Sequence, residues 1–248
     1  MLILAFESSA KPASVAVYDS SDSSDSLYAI KNGVDSCGKL LGQYFQNNGF
    51  SHSRTLLAMA ESLLINLGIK LSEIGLIAVA SGPGSFTGVR IGVSAVKGLA
   101  FGSDIPVCGV STLEAMAWQT PAADTEMIIC PVMDARREQV YNALFKWDDT
   151  VLERLCDDRA ISIEELAVDL LNHELPCLLV GDGVKVCSAG FAGMGSAGSL
   201  DYSVAPEPMR YQTAYGVALA ALKKEPAEAS KLEPFYLRPS QAEREREE

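Results

Sequence analysis

Apolar residues in this chain come in short runs separated by polar turns, and the spacing inside each run predicts its element. Residues 2–6 form a continuous apolar run that suits a buried strand. Glu7-Ser8-Ser9 turns the chain, and 14–18 reads as a second strand antiparallel to the first. Residues 19–26 are polar and of low complexity, a solvated hairpin loop, and 27–31 is the candidate third strand. Helical spacing follows. One helix is predicted over about 38–46, and a second from Ser51 or His52 to Leu67, where Gly68 stops it. On the second helix Leu56, Leu57, Ala60, Leu63, Leu64 and Leu67 fall on one arc. Met59 widens that arc, and Ile65 with Ala58 adds apolar surface on the far side. Such a helix is either a well-buried core helix or one with two buried faces, one against its own sheet and one against a partner.

The pattern then repeats. A strand at 76–80, a glycine-rich turn and a helix at 89–101 lead into a strand at 107–110. Ser111 and Glu114 have capping-box spacing at the start of a helix reaching about Gln119. A second cycle has a strand at 127–133, a turn at 134–137, a strand at 139–145, a helix capped by Ser162 and Glu165, and a strand at 177–180 ending in Gly181-Asp182-Gly183. Residues 188–200, rich in Gly, Ala and Ser, read as loop, and 213–224 as an alanine-rich helix. The tail 241–248 is all charge or small residues and is expected to fray. The expectation is an α/β fold of two related halves, meeting near 103–106 and facing each other across a cleft.

Composition narrows the function. The chain has 248 residues and a formal net charge of −12, with no cluster of basic residues, which argues against a stand-alone nucleic-acid binder. Six cysteines, none in a Cys-x-x-Cys pair, read as buried reduced thiols rather than a zinc or disulfide framework. Neither a signal peptide nor an 18-residue apolar span is visible, so the expected setting is soluble and cytoplasmic, with no membrane contact.

The densest wording is Ser81-Gly82-Pro83-Gly84-Ser85-Phe86-Thr87-Gly88-Val89-Arg90-Ile91-Gly92, between a strand and a helix. Such a place gathers backbone N–H groups and can bind an anion; it can equally be a plain tight turn. Read as a word, the run closely resembles the signature of the bacterial TsaB (YeaZ) family. The resemblance extends to Ile3-Leu4-Ala5-Phe6-Glu7-Ser8-Ser9, to His52-Ser53-Arg54 with Leu56-Leu57, to Gly109-Val110-Ser111-Thr112-Leu113, to Asp134-Ala135-Arg136 with Val140-Tyr141, and to Tyr236-Leu237-Arg238-Pro239.

The resemblance implies the two-lobed fold shared by actin and sugar kinases, built from duplicated ribonuclease-H-like halves. It implies an N-terminal lobe over 1–105, completed by 212–248, and a C-terminal lobe over 106–211. It also implies a non-catalytic role in forming N6-threonylcarbamoyladenosine in tRNAs that read codons beginning with A. That role is exercised by binding and enabling a catalytic paralogue, TsaD, together with a small ATPase, TsaE. A homodimer is expected when the chain is alone, and contact with tRNA only through the partner.

The partner-binding candidates are Leu40, Leu41, Tyr44, His52, Arg54, Met59 and Ile65 on the two helices predicted over 38–67. The candidate ligand or hinge loop is Gly82, Gly84, Ser85, Thr87, Gly88 and Arg90. The metal-holding His-x-x-x-His pair of the catalytic paralogue is absent, because Leu56 stands four residues after His52 and the other histidine is the distant His173. The phosphate-side turn, residues 7–12, has no glycine and carries Pro12, which disfavours an ATP site between the lobes. No cofactor is therefore expected for the chain alone, with ATP or ADP considered only at the interface with the paralogue. The alternative is a degenerate ATPase or a glycoprotease-like peptidase. For the latter, Ser85 lacks the Gly-x-Ser-x-Gly elbow, and two histidines offer few triad partners.

Overall fold

The structure is a computed structural model and describes residues 1–21, 38–49, 51–121, 126–148, 151–194 and 200–238. The strand expected over 27–31, most of the 19–26 loop, Cys37 and the 241–248 tail lie outside the described residues.

The first sheet has the order β3-β2-β1-β4-β5, from Lys39–Gln46, Ala13–Asp19, Leu2–Glu7, Ile74–Gly82 and Val107–Ser111. β1 is antiparallel to β2, β2 is antiparallel to β3, and β1 is parallel to β4, so the chain turns back twice and then crosses over. Two helices, α1 (His52–Leu67) and α2 (Phe86–Ala100), cover one face, over Leu4, Phe6, Val15, Val17, Ile77 and Val79. The other face, with Ile3, Ala5, Ala16, Leu76 and Ala78, lies under α7 (Ala214–Ala221), with Ala115 of α3 (Thr112–Trp118) in the same cluster. A strand buried on both faces needs an unbroken apolar run, which is what 2–6 and 76–80 supply.

The helix predicted over 38–46 is β3. Its register with β2 skips Leu41: Val17 pairs with Gly42, and Tyr18 with Leu40. The bulge turns Leu41 to the same side as Tyr44, and both pack against α1 and the core beneath it. Two apolar residues three apart on one face imitate a helical period. Gly42 lets α1 sit close, since a Cβ there would stand 3.0 Å from Leu63 Cδ1.

The second sheet repeats the order and directions of the first: β10-β7-β6-β11-β12, from Arg159–Ser162, Gln139–Asn142, Ile128–Asp134, Cys177–Val180 and Tyr202–Val204. β6 is antiparallel to β7 and parallel to β11. The predicted strand 139–145 breaks after Asn142, and an added hairpin, β8 (Phe145–Asp148) with β9 (Val151–Arg154), pairs with the start of β6. Helices α4 (Ile163–Asn172) and α5 (Val184–Gly193) cover the outer face, and Glu207–Arg210 forms one turn, α6. Residues 184–193 are thus helix, where loop was expected from 188 onward. Their small residues permit close packing, and a Cβ at Gly190 would stand 2.6 Å from Ile163 Cγ2 of α4.

Helices α3 and α7 lie between the sheets, and a Cβ on Gly216 of α7 would be 2.2 Å from the Ala115 carbonyl of α3. Ser111 Oγ caps α3 by accepting from Glu114 N, but the Glu114 carboxylate does not close the box. It turns to Arg154 at 3.1 Å and Lys224 at 2.9 Å, while Arg154 also holds Asp158 at 2.6 Å. Residues 227–238 then return along the first sheet. Ala227 pairs with the β5 edge at Val107, Leu232 is buried, and Phe235 N donates to Ser81 O at 2.7 Å. Cys108, Cys130, Cys177 and Cys187 are buried free thiols. No helix among the described residues is long and apolar enough to cross a membrane.

Candidate functional site

The glycine run from 82 to 92 packs against its own protein. Ser85 N donates to Ser9 O at 2.6 Å, and Ser8 Oγ donates to Gly88 O at 2.9 Å. A Cβ on Gly84 would stand 2.4 Å from Ser9 O, and one on Gly88 2.1 Å from Ser8 O. Gly82, at φ +129°, brings its Cα against the Phe235 carbonyl. The helix N-terminus is capped from within, with Ser85 Oγ accepting from Gly88 N at 3.3 Å. The glycines thus serve backbone-to-backbone approach between β4, α2 and the β1–β2 turn. Among the described residues no histidine is bonded to Ser85, and His52 Nε2 donates instead to Ala10 O at 2.8 Å.

What the turn presents outward is the first face of α2. Phe86, Thr87, Arg90 and Ile91 form one wall of an open groove of about 590 Å³, and His52, Leu56 and Leu57 of α1 form the other. Leu57, predicted on the buried arc, is 47% exposed here. The Arg90 guanidinium lies 3.8 Å above the Phe86 ring, Phe86 stacks on Tyr236 at 4.6 Å, and Arg90 Nε donates to Tyr236 Oη at 2.9 Å.

The structure brings only part of the expected site together. His52, Thr87 and Arg90 meet in the groove. Arg54 is exposed on α1, and Ile65, 70% exposed, lies further along the helix. Met59, Leu41 and Tyr44 pack into the core of the first half, and Tyr44 Oη accepts from Asn66 Nδ2. Leu40 is exposed on β3, a strand rather than the expected helix. Phe86 and Ile91 were missed, although Phe86 and Arg90, four apart at a helix start, share a face.

A second concavity, of about 210 Å³, lies at the ends of the strands between the two sheets and is lined by Lys11, Pro12, Asp182, Lys185 and Arg210 among others. That is below the usual size of a pocket for a drug-sized ligand. Glu7 closes β1 nearby and is fully buried; Ser9 N donates to its Oε1 at 2.6 Å and its Oε2 has no partner. Burial pushes the Glu7 carboxyl up to about 7; the charge of Asp182 adds to this and the Ser9 hydrogen bonds oppose it. Burial also raises Asp182, against the Gln212 Nε2 bond at 3.0 Å. Sequence reading passed over this carboxyl pair because Glu7 and Asp182 come from different halves. Among the described residues no three His, Cys, Asp or Glu side chains gather as a metal site.

The chain is similar to known proteins over most of its length. A family model described as "TsaD: tRNA N6-adenosine threonylcarbamoyltransferase" matches residues 46–207. A Bacillus subtilis protein named tRNA threonylcarbamoyladenosine biosynthesis protein TsaB is 31% identical over 205 residues, 82% of this chain and 87% of the relative. A Haemophilus influenzae protein of the same name is 31% identical over 204 residues, 76% of this chain and 80% of the relative. Among solved structures, an uncharacterized protein with similarity to peptidase YeaZ from Pseudomonas aeruginosa superposes with TM-score 0.73 at 25% identity, covering 96% of this chain and 99% of the other. YeaZ from Pseudomonas aeruginosa gives TM-score 0.69 at 24% identity and supports the shared fold.

Proposed function

The chain belongs to the TsaB family, whose curated members are named for tRNA threonylcarbamoyladenosine biosynthesis, and from that premise we propose that it is the non-catalytic partner subunit of that modification. Its working surface is the groove between α1 and α2, and the observation that carries this reading is the groove itself. Two helices that bury Leu56, Ala60, Val89 and Val93 against the first sheet still leave Leu57, Phe86 and Ile91 facing an open, mostly apolar trough. A helix of a partner, laying aliphatic anchors into such a trough, uses a common recognition mode.

The partner is a TsaD-like catalytic paralogue, with a TsaE-like ATPase joining through the complex. The same groove pairs two copies of the chain when the paralogue is absent. The net charge of −12 fits a subunit that meets tRNA only through its partner, in the cytoplasm. Any nucleotide sits at the interface with the paralogue, since the cleft between the two sheets is small and lined by the Asp182 carboxyl, which would repel phosphate when ionised.

Depletion of the protein in its own organism, followed by mass spectrometry of tRNA nucleosides, tests the pathway. Loss of the threonylcarbamoyl mark is expected, and full retention refutes the reading. Leu57→Glu tests the surface: pairing seen by size-exclusion chromatography is expected to disappear.

A further inference from the structure

The groove holds one charged group in an unusual state. Arg90 is exposed, yet its guanidinium is fixed: stacked on Phe86 at 3.8 Å and held through Nε by Tyr236 Oη at 2.9 Å. Among the described residues no carboxylate forms an ion pair with it, and its two terminal nitrogens have no bonding partner. An exposed arginine normally samples many rotamers, and ordering it costs entropy when it binds. Here the aromatic stack has already ordered it, and the Nε bond leaves the two terminal nitrogens as an end-on fork. That fork matches one carboxylate in bidentate fashion. The stack depends on a distant part of the chain, because Tyr236 is carried by the 227–238 return segment, anchored by Phe235 N to Ser81 O at 2.7 Å and by Lys97 Nζ to Leu232 O at 3.0 Å.

We propose that Arg90 is the receptor for one carboxylate side chain of the protein partner that docks in the α1–α2 groove, and that Tyr236 is its positioning residue. The inference rests on the docking reading above and adds the partner's chemistry: aliphatic anchors for the trough, and a single Asp or Glu at the Phe86 end. Charge complementarity selects this occupant, since an apolar trough whose rim carries a preset guanidinium, unpaired among the described residues, rejects a basic or purely apolar helix by leaving that cation uncompensated.

The test is isothermal titration calorimetry of the full chain with the purified TsaD-like paralogue from the same organism, without nucleotide, over a series of sodium chloride concentrations. Arg90→Ala is expected to weaken binding about tenfold or more and to flatten its salt dependence. Arg90→Lys is expected to recover only part of the loss, because a point charge lacks the fork. Tyr236→Phe is expected to weaken binding in the native background but not in the Arg90→Ala background, a non-additivity that a purely structural role does not produce. Thermal melts confirm that each variant is folded. If Arg90→Ala keeps both affinity and salt dependence while Leu57→Glu abolishes pairing, the carboxylate receptor is overturned and the docking reading stands. If neither substitution affects pairing, both are overturned. If added ADP tightens the native pair and not the Arg90→Ala pair, the guanidinium holds a phosphate, which also overturns the proposal.

Discussion

Replacing Glu7 by Gln isolates the physical cost of a buried carboxyl in the centre of this fold. Glu7 ends β1 in full burial, with Ser9 N on one oxygen and nothing on the other. In the folded chain its carboxyl titrates at about 7, against an ordinary value of 4.5. Between those values the native state keeps a proton that the unfolded state has lost, so stability falls as pH rises through the window from about 4.5 to about 7. At 1.36 kcal/mol for each pH unit, the loss is about 3 kcal/mol. Gln keeps the shape and an acceptor for Ser9 N but cannot ionise. Below about pH 4 the two proteins are expected to be similar in stability. Above about pH 8 the Gln variant is expected to be more stable by about 3 kcal/mol, roughly 6–12 °C in melting temperature for a chain of this size. Denaturant unfolding by circular dichroism at both pH values measures this. Asp182, whose carboxyl burial also raises, titrates in both proteins, so the comparison between them isolates Glu7. A difference between the variants that is the same at acid and alkaline pH would refute the assignment of the buried charge to Glu7.

The other expectations concern packing and the groove. Gly88→Ala would drive a Cβ to 2.1 Å from the Ser8 carbonyl, whereas Gly98 on the same helix has nothing within 4 Å. Urea titration is expected to show a loss of about 3 kcal/mol or more for the first and a gain of up to about 1 kcal/mol for Gly98→Ala. Arg154→Ala leaves Glu114 and Asp158 without their shared cation and is expected to cost about 2 kcal/mol in the same assay, because both carboxylates are mostly buried. Leu57→Glu is expected to shift monomer stability by less than about 0.5 kcal/mol in thermal melts while abolishing pairing, since Leu57 is 47% exposed.

Much of this architecture is legible in the residues. The strands at 2–7, 74–82 and 128–134 announce themselves because helices or strands cover both faces, which forbids polar alternation. Helix α1 is legible through to Gly68, whose φ of +67° needs the residue found there. Elsewhere local spacing misleads. At 38–46 a bulge at Leu41 copies a helical period, and the strand forms because β2 has an open edge to fill. At 188–193 Gly and Ala look like loop but allow α5 to lie close on α4. For the candidate site, the sequence singles out His52 and Arg90, yet it places Leu57 in the core and gives Tyr236 no role beyond a family word.

The sequence by itself determined two things. The alternation of apolar runs and turns fixed an α/β chain of two related halves, because burial on both faces leaves an unbroken apolar run in the central strands of a sheet. The wording around 82–92 fixed the family. The tertiary structure alone decided what that wording does. The glycines close on Ser8, Ser9 and Phe235, residues far away along the chain, so the run joins backbone to backbone. The consequence for the surface is equally non-local. Which side of α1 remains uncovered depends on where α2 lies beside it, and the direction of the Arg90 guanidinium depends on a tyrosine 146 residues further on. Spacing reports neighbours within a few residues along a helix or strand; the exposure of a groove and the aim of a charge are set by contacts between segments that no local period records.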